Sequence, residues 1–107
     1  MAYKVLAQSA PSAATATDVY TVGSGVETVI STIIIANRAA TAGSFRLSVR
    51  PNGGTQTNAM YCAYDVPVAA NDSTTLTLGI TVDAADVITA YCSSADMSIN
   101  IFGTEIS

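Results

Sequence analysis

The feature that most constrains this chain is a period-two alternation of apolar and polar residues, recurring between turn residues with no sustained helical period. Between residues 44 and 50, Phe45, Leu47 and Val49 point one way, while Ser44, Arg46, Ser48 and Arg50 point the other. Successive side chains of a strand lie on opposite faces of its sheet, so a strand with one buried and one wetted face must read like this. Met60, Cys62, Tyr64, Val66 and Val68 repeat the pattern on a shared inward face. So do Leu76, Leu78, Ile80 and Val82, with Thr75, Thr77, Gly79 and Thr81 outward. Met97, Ile99 and Ile101 alternate with Ser98, Asn100 and Phe102. Residues 29–36 are apolar and β-branched on both faces, which places them centrally in a sheet or with their outer face against a partner. Residues 87–93 are mixed, with Ile88, Ala90 and Cys92 on one face, and weaker strands are expected over residues 3–8 and 18–22.

The breaks between these runs carry turn chemistry. Pro51, Asn52, Gly53 and Gly54 can supply positive φ, and residues 23–25, 70–73, 83–86 and 93–96 are polar or small. Short alternating strands at this spacing imply an all-β fold, an antiparallel β-sandwich of seven or eight strands in Greek-key or jelly-roll-like order. A length of 107 residues suits one domain. Residues 9–17 are rich in Ala, Ser and Thr around Pro11 and read as a linker. The expected division is therefore an N-terminal arm and linker over 1–16 and a sandwich over 17–107. The arm, residues 1–8, either pairs with a neighbouring subunit or forms an ordinary first strand of its own sandwich.

Half the residues are hydrophobic and only 11% are charged, against about 25% in average globular usage. A small domain this poor in charge is either solubilised by its hydroxyls or loses part of its surface in an assembly. The net charge is −4, and the basic residues are Lys4, Arg38, Arg46 and Arg50. That balance excludes the basic stripe a nucleic-acid backbone requires, and equally a polybasic membrane contact. The longest apolar run, residues 33–36, is far short of the ~20 residues of a membrane-spanning helix. The short apolar stretch after Lys4 does not make a signal peptide, so cytoplasmic synthesis is expected.

Catalytic equipment is missing. Without histidine, the usual general base, triad relay and commonest metal ligand are gone, and no cofactor is expected. Cys62 and Cys92 cannot complete a zinc site alone. They are either small core hydrophobes or, on neighbouring strands, an oxidisable pair. Asp72, Asp83, Asp86 and Asp96 fall in turns without calcium-loop spacing, where bonding to the local backbone is their plain role. Glu27 and Asp65 are the acids nearest the strand bodies, and nothing places them in one cleft. Sugar binding is a fairer rival. Tyr61 stands in a clean outward register as a stacking face, whereas Tyr20, Tyr64 and Tyr91 read as packing residues. The row Thr75, Thr77 and Thr81 is either a docking surface or a solvated face. Arg46 and Arg50 form a short stripe suited to carboxylates of a partner, or lack a fixed partner. With Tyr3, Lys4 and Val5 of the arm, these residues are the candidate protein-interface set.

Taken in order, residues 18–22 (DVYTV), 29–38 (VISTIIIANR), 44–50 (SFRLSVR), 76–81 (LTLGIT) and 99–106 (INIFGTEI) resemble a small family of tailed-phage virion proteins. The resemblance spans roughly residues 17–107 and rests on order and spacing rather than on one diagnostic motif. It implies a virion component present in many copies. A freestanding chain of this size is similar to capsid decoration (cement) proteins, which clamp the shell built by the major capsid protein, often as trimers on local symmetry axes. A homo-oligomer on the capsid surface is therefore expected. A tail, fibre-adaptor or baseplate subunit, or a glycan-binding module for host attachment, are the alternatives.

Overall fold

A computed structural model describes residues 3–107. Met1 and Ala2, the tip of the expected arm, lie outside the described residues. The chain forms β1 (Tyr3–Ser9), β2 (Thr17–Thr21), β3 (Glu27–Asn37), β4 (Gly43–Arg50), β5 (Tyr61–Val68), β6 (Ser73–Leu76), β7 (Ile80–Val82), β8 (Val87–Cys92) and β9 (Met97–Ile106). Two single-turn 3-10 segments, Pro51–Gly53 and Asn58–Met60, punctuate the connection from β4 to β5.

The strands build two antiparallel sheets. One has the order β1-β9-β3-β6, with β7 also paired to β3; the other has the order β2-β8-β4-β5. Both β6 and β7 run along β3, at Ile33–Ala36 and at Thr28–Ile30, so they are halves of one interrupted strand. Counted that way there are four strands per sheet, and the chain crosses between sheets at every connection except β4 to β5. This is the double Greek-key order of a jelly roll.

Facing residues of the two sheets close the core. Ile33, Ile35, Ile99, Ile101 and Met97 come from one sheet, and Phe45, Leu47, Ile88, Ala90 and Cys92 from the other; all are buried. Central β3 lies between β9 and β6/β7, as its two-faced apolar sequence requires. Polar satisfaction is complete: among the described residues no buried side-chain nitrogen or oxygen lacks a hydrogen-bond partner. Buried Asn37 illustrates how. Its amide donates to the carbonyls of Thr41, Val68 and Ala69, while its Oδ1 accepts from the Ala39 N–H at 3.0 Å. Arg38 beside it donates to Ser98 Oγ and the Ala95 carbonyl. The Asn37–Arg38 pair is thus a corner clamp joining three connections.

Four expectations are corrected. The expected boundary at residue 17 moves: of the two readings of the N-terminal segment the structure has the ordinary first strand, β1 pairing with β9 from Tyr3↔Thr104 to Ser9↔Ile99, so the sandwich begins before residue 17. The inward face drawn through Met60, Cys62, Tyr64, Val66 and Val68 holds for Val66 and Val68 and fails before them. Phe45 pairs with Val66 and Leu47 with Ala63, then Ser48 with Tyr61, so β5 carries an extra residue at two places. Each extra residue inverts the alternation. Cys62 and Tyr64 are therefore exposed, and Tyr61 is half-buried rather than cleanly outward. Leu78, expected inside, is exposed in the break between β6 and β7, where Gly79 has φ +60°. The cysteines are not on neighbouring strands: β4 separates β5 from β8.

Candidate binding surfaces

The sandwich offers two broad faces. Ladder partners share a face, which assigns the outer side of the five-stranded sheet residue by residue. The rows Val5↔Phe102↔Thr32, Asn100↔Ile34↔Thr75 and Ser98↔Ala36↔Ser73 point outward, as do Tyr3↔Thr104↔Val29↔Thr81 and Ile106↔Glu27. Of the large hydrophobics left exposed, Tyr3 (79%), Val5 (50%) and Ile106 lie here. Glu27 is the charged residue in these rows, and Arg38 borders them at Ser98. Two patches that are far apart in sequence, the N-terminal residues Tyr3 and Val5 and the threonines Thr75 and Thr81, thus meet on one face. Thr77 sits at its margin in the β6–β7 break and is exposed.

Lys4 does not join them. Its ammonium pairs with Glu105 at 2.6 Å, at one end of the sandwich. Glu105 Oε2 also accepts from Tyr20 Oη at 2.6 Å. That bond uses the tyrosine's proton, so Thr28 Oγ1 donates to Tyr20 Oη at 2.8 Å. Lys4 first, then the Tyr20 hydroxyl, hold the Glu105 carboxyl below its ordinary range. Burial first, then Glu105, push the Tyr20 phenol up.

The outer side of the four-stranded sheet is organised by the two candidate arginines, and both have partners within the chain. Arg50 donates to Asp18 Oδ1, Thr89 Oγ1 and the carbonyls of Gly53 and Gly54. Those bonds pin the reversal after β4 onto β2 and β8, which commits Arg50 to architecture. Arg46 donates from Nε to Asp65 Oδ1 at 2.7 Å, and its guanidinium lies 4.2 Å from the Tyr64 ring centre and 4.4 Å from that of Tyr91. Asp65 beside it raises the guanidinium pKa further. Tyr61 meets Tyr64 edge-to-face at 4.9 Å. Beneath Tyr61 and Tyr91 is a small pocket of about 40 Å³, bordered also by Arg46, Ser48, Gln56 and Thr89. The sequence reading missed this cluster because it put Tyr64 in the core and separated the tyrosines from Arg46.

The remaining candidates serve local structure. Asp86 accepts from the N–H groups of Asn52 and Asp83, Asp83 from that of Ala84, and Asp72 from that of Ser73. Glu27 and Asp65 lie on different sheets. Among the described residues no group of three or more Cys, Asp or Glu side chains is placed to hold a metal ion.

The architecture leaves function open, since a jelly roll hosts many unrelated activities. Comparison with protein-family models, with curated proteins and with solved structures returns no match.

Proposed function

We propose that the chain is a non-enzymatic bacteriophage virion protein, a capsid decoration (cement) protein that binds the major capsid protein on the head surface and stabilises the shell. One observation carries the reading: the outer face of the five-stranded sheet, where exposed Tyr3, Val5 and Ile106 stand among threonines with Glu27 as the charged member of the rows. Depletion of charge with aromatic and aliphatic anchors is the composition of an interface centre. The molecule extends 42 × 30 × 19 Å, and a broad face of that size suits the roughly 800 Å² that each partner contributes to a standard interface. A protein docked this way stabilises a shell by mass action, because it binds the assembled lattice and not its separated subunits. The sequence resemblance supplies the biological setting, and the low overall charge agrees with a surface meant to be covered.

Purified particles should carry the protein in a fixed ratio to the capsid subunit, and heads lacking tails should retain it. Val5→Asp should detach it from heads without lowering its own melting temperature, because Val5 is half exposed. A copy number matching a tail ring would replace this reading with a tail, fibre-adaptor or baseplate subunit.

A further inference from the structure

We propose that the Tyr61–Tyr64–Arg46–Asp65–Tyr91 cluster, on the sheet face opposite the proposed docking surface, is a binding site for neutral saccharides. This site stands on its own residues and does not depend on where the protein resides.

The argument starts from a broken pattern. Uninterrupted alternation along β5 would put Tyr64 on the inward side with Val66, where a buried aromatic stabilises the fold. The extra residue between Ala63 and Val66 instead turns Tyr64 outward, leaving it 55% exposed. Asp65 takes the left-handed backbone conformation, φ +50°, at the same point. Bulges re-aim side chains next to sites of function, and departures from local rules concentrate there. Here the bulge delivers an aromatic ring and a carboxylate to the same arginine.

The assembled chemistry selects a ligand class. Arg46 lies over Tyr64 and Tyr91 and Tyr61 meets Tyr64 edge-to-face, and Tyr64 as a residue is still 55% exposed. The exposed part of such a ring is apolar surface against which the C–H groups of a pyranose can pack. Nε and Nη2 of Arg46 are directed at Asp65, so Nη1 remains to donate, and the half-exposed carboxylate has lone pairs to accept. One remaining guanidinium donor beside a half-exposed carboxylate acceptor matches the vicinal hydroxyls of a sugar. The neighbouring pocket of about 40 Å³ takes a substituent the size of a hydroxymethyl or acetyl group, not a ring. The Arg46–Asp65 pair is electrically balanced, which disfavours phosphorylated and carboxylated ligands. A proline-rich peptide needs an open groove between aromatic ridges, and Arg46 fills the space between Tyr64 and Tyr91.

The test uses the intact protein on an array of neutral hexose and N-acetylhexosamine oligosaccharides beside sialylated and sulfated ones. Titration calorimetry follows with whichever neutral oligosaccharide binds. The expected result is binding confined to the neutral set. Tyr64→Ala should weaken it at least tenfold, and Arg46→Lys should weaken it while circular dichroism and melting stay those of the parent. Absence of binding to every neutral oligosaccharide at millimolar concentration would overturn the proposal. So would an affinity unchanged by Tyr64→Ala, or capture of anionic glycans or proline-rich peptides in place of neutral ones.

Discussion

Gly103 should be the least replaceable residue of the sheet, and Gly103→Ala measures how rigidly its centre is held. Gly103 lies on β9 opposite Ile30, where β3 carries the extra residue Ser31 and its Oγ donates to the Phe102 carbonyl. A β-carbon at position 103 would fall well inside van der Waals contact distance of the Val29 carbonyl oxygen and 3.0 Å from Ile30 Cα. Both obstacles are backbone, so no side-chain rotation relieves the overlap. The central strands must separate locally, which adds an overpacking cost of about 1–3 kcal/mol to the loss of roughly two ladder bonds at about 0.5–1.5 kcal/mol each. The expected destabilisation is about 2–6 kcal/mol, a large share of the ~5–15 kcal/mol that holds a domain together. For a domain of this size that lowers the melting temperature by roughly 8–30 °C. Thermal and urea unfolding followed by circular dichroism provide the measurement. Gly79→Ala is the control, since nothing lies within 4 Å of its β-carbon and only its φ of +60° opposes it; it should cost about 1–2 kcal/mol. A Gly103→Ala melting temperature within a few degrees of the parent would refute the close approach of β3 and β9.

Other outcomes follow from named contacts. Asn37→Ala orphans carbonyls at a buried corner and should cost about 2–4 kcal/mol in urea unfolding; a loss below about half a kcal/mol would show that the corner does not depend on this clamp. The Lys4–Glu105–Tyr20 network should make stability fall at both ends of the pH scale. The depressed Glu105 contributes stability above the ordinary carboxylate range, and that contribution is lost as pH falls through its lowered value. The raised Tyr20 contributes fully below 10.0, and its contribution is lost as pH rises through its raised value. Tyr20→Phe should flatten the alkaline limb of the urea midpoint against pH, and an unchanged limb would exclude the phenol as its source. A thiol reagent should modify exposed Cys62 in the folded protein and reach buried Cys92 only after denaturation. Burial pushes the Cys62 thiol up, so that reaction should accelerate into the alkaline range. Two thiols reacting at equal rates in the native state would contradict the burial of Cys92.

What the sequence made legible follows from how far each signal reaches. Phe45 and Leu47, and likewise Met97, Ile99 and Ile101, are buried as their alternation predicts, because period two reports the face of a strand directly. The central place of β3 was visible for the same reason: apolar residues on both faces need cover on both. Bulges defeated the reading, because an extra residue leaves the composition of a run unchanged while inverting every side chain beyond it. That single effect moved Cys62 and Tyr64 outward and hid the aromatic cluster. Gly79 did mark the break that exposes Leu78, but inside an apparently continuous pattern it read as one more outward residue. The grouping of Tyr3 and Val5 with Thr75 and Thr81 was beyond reach for a different reason. Those residues meet only through the order β1-β9-β3-β6, with β7 alongside, and strand order is a long-range property that no local pattern encodes.

The same irregularities bear on the open edges of the two sheets. Open sheet edges invite other chains to add strands, and natural proteins commonly blunt them with lysine, a residue this chain has only at position 4. Backbone geometry takes over that duty. β1 is bulged at Leu6, β2 at Val19, β5 twice with Pro67 beyond, and the β6/β7 border is cut in two. No boundary strand offers a long regular row of free amides and carbonyls for a second molecule to continue. Growth edge upon edge into fibres is therefore opposed by shape rather than by repulsion.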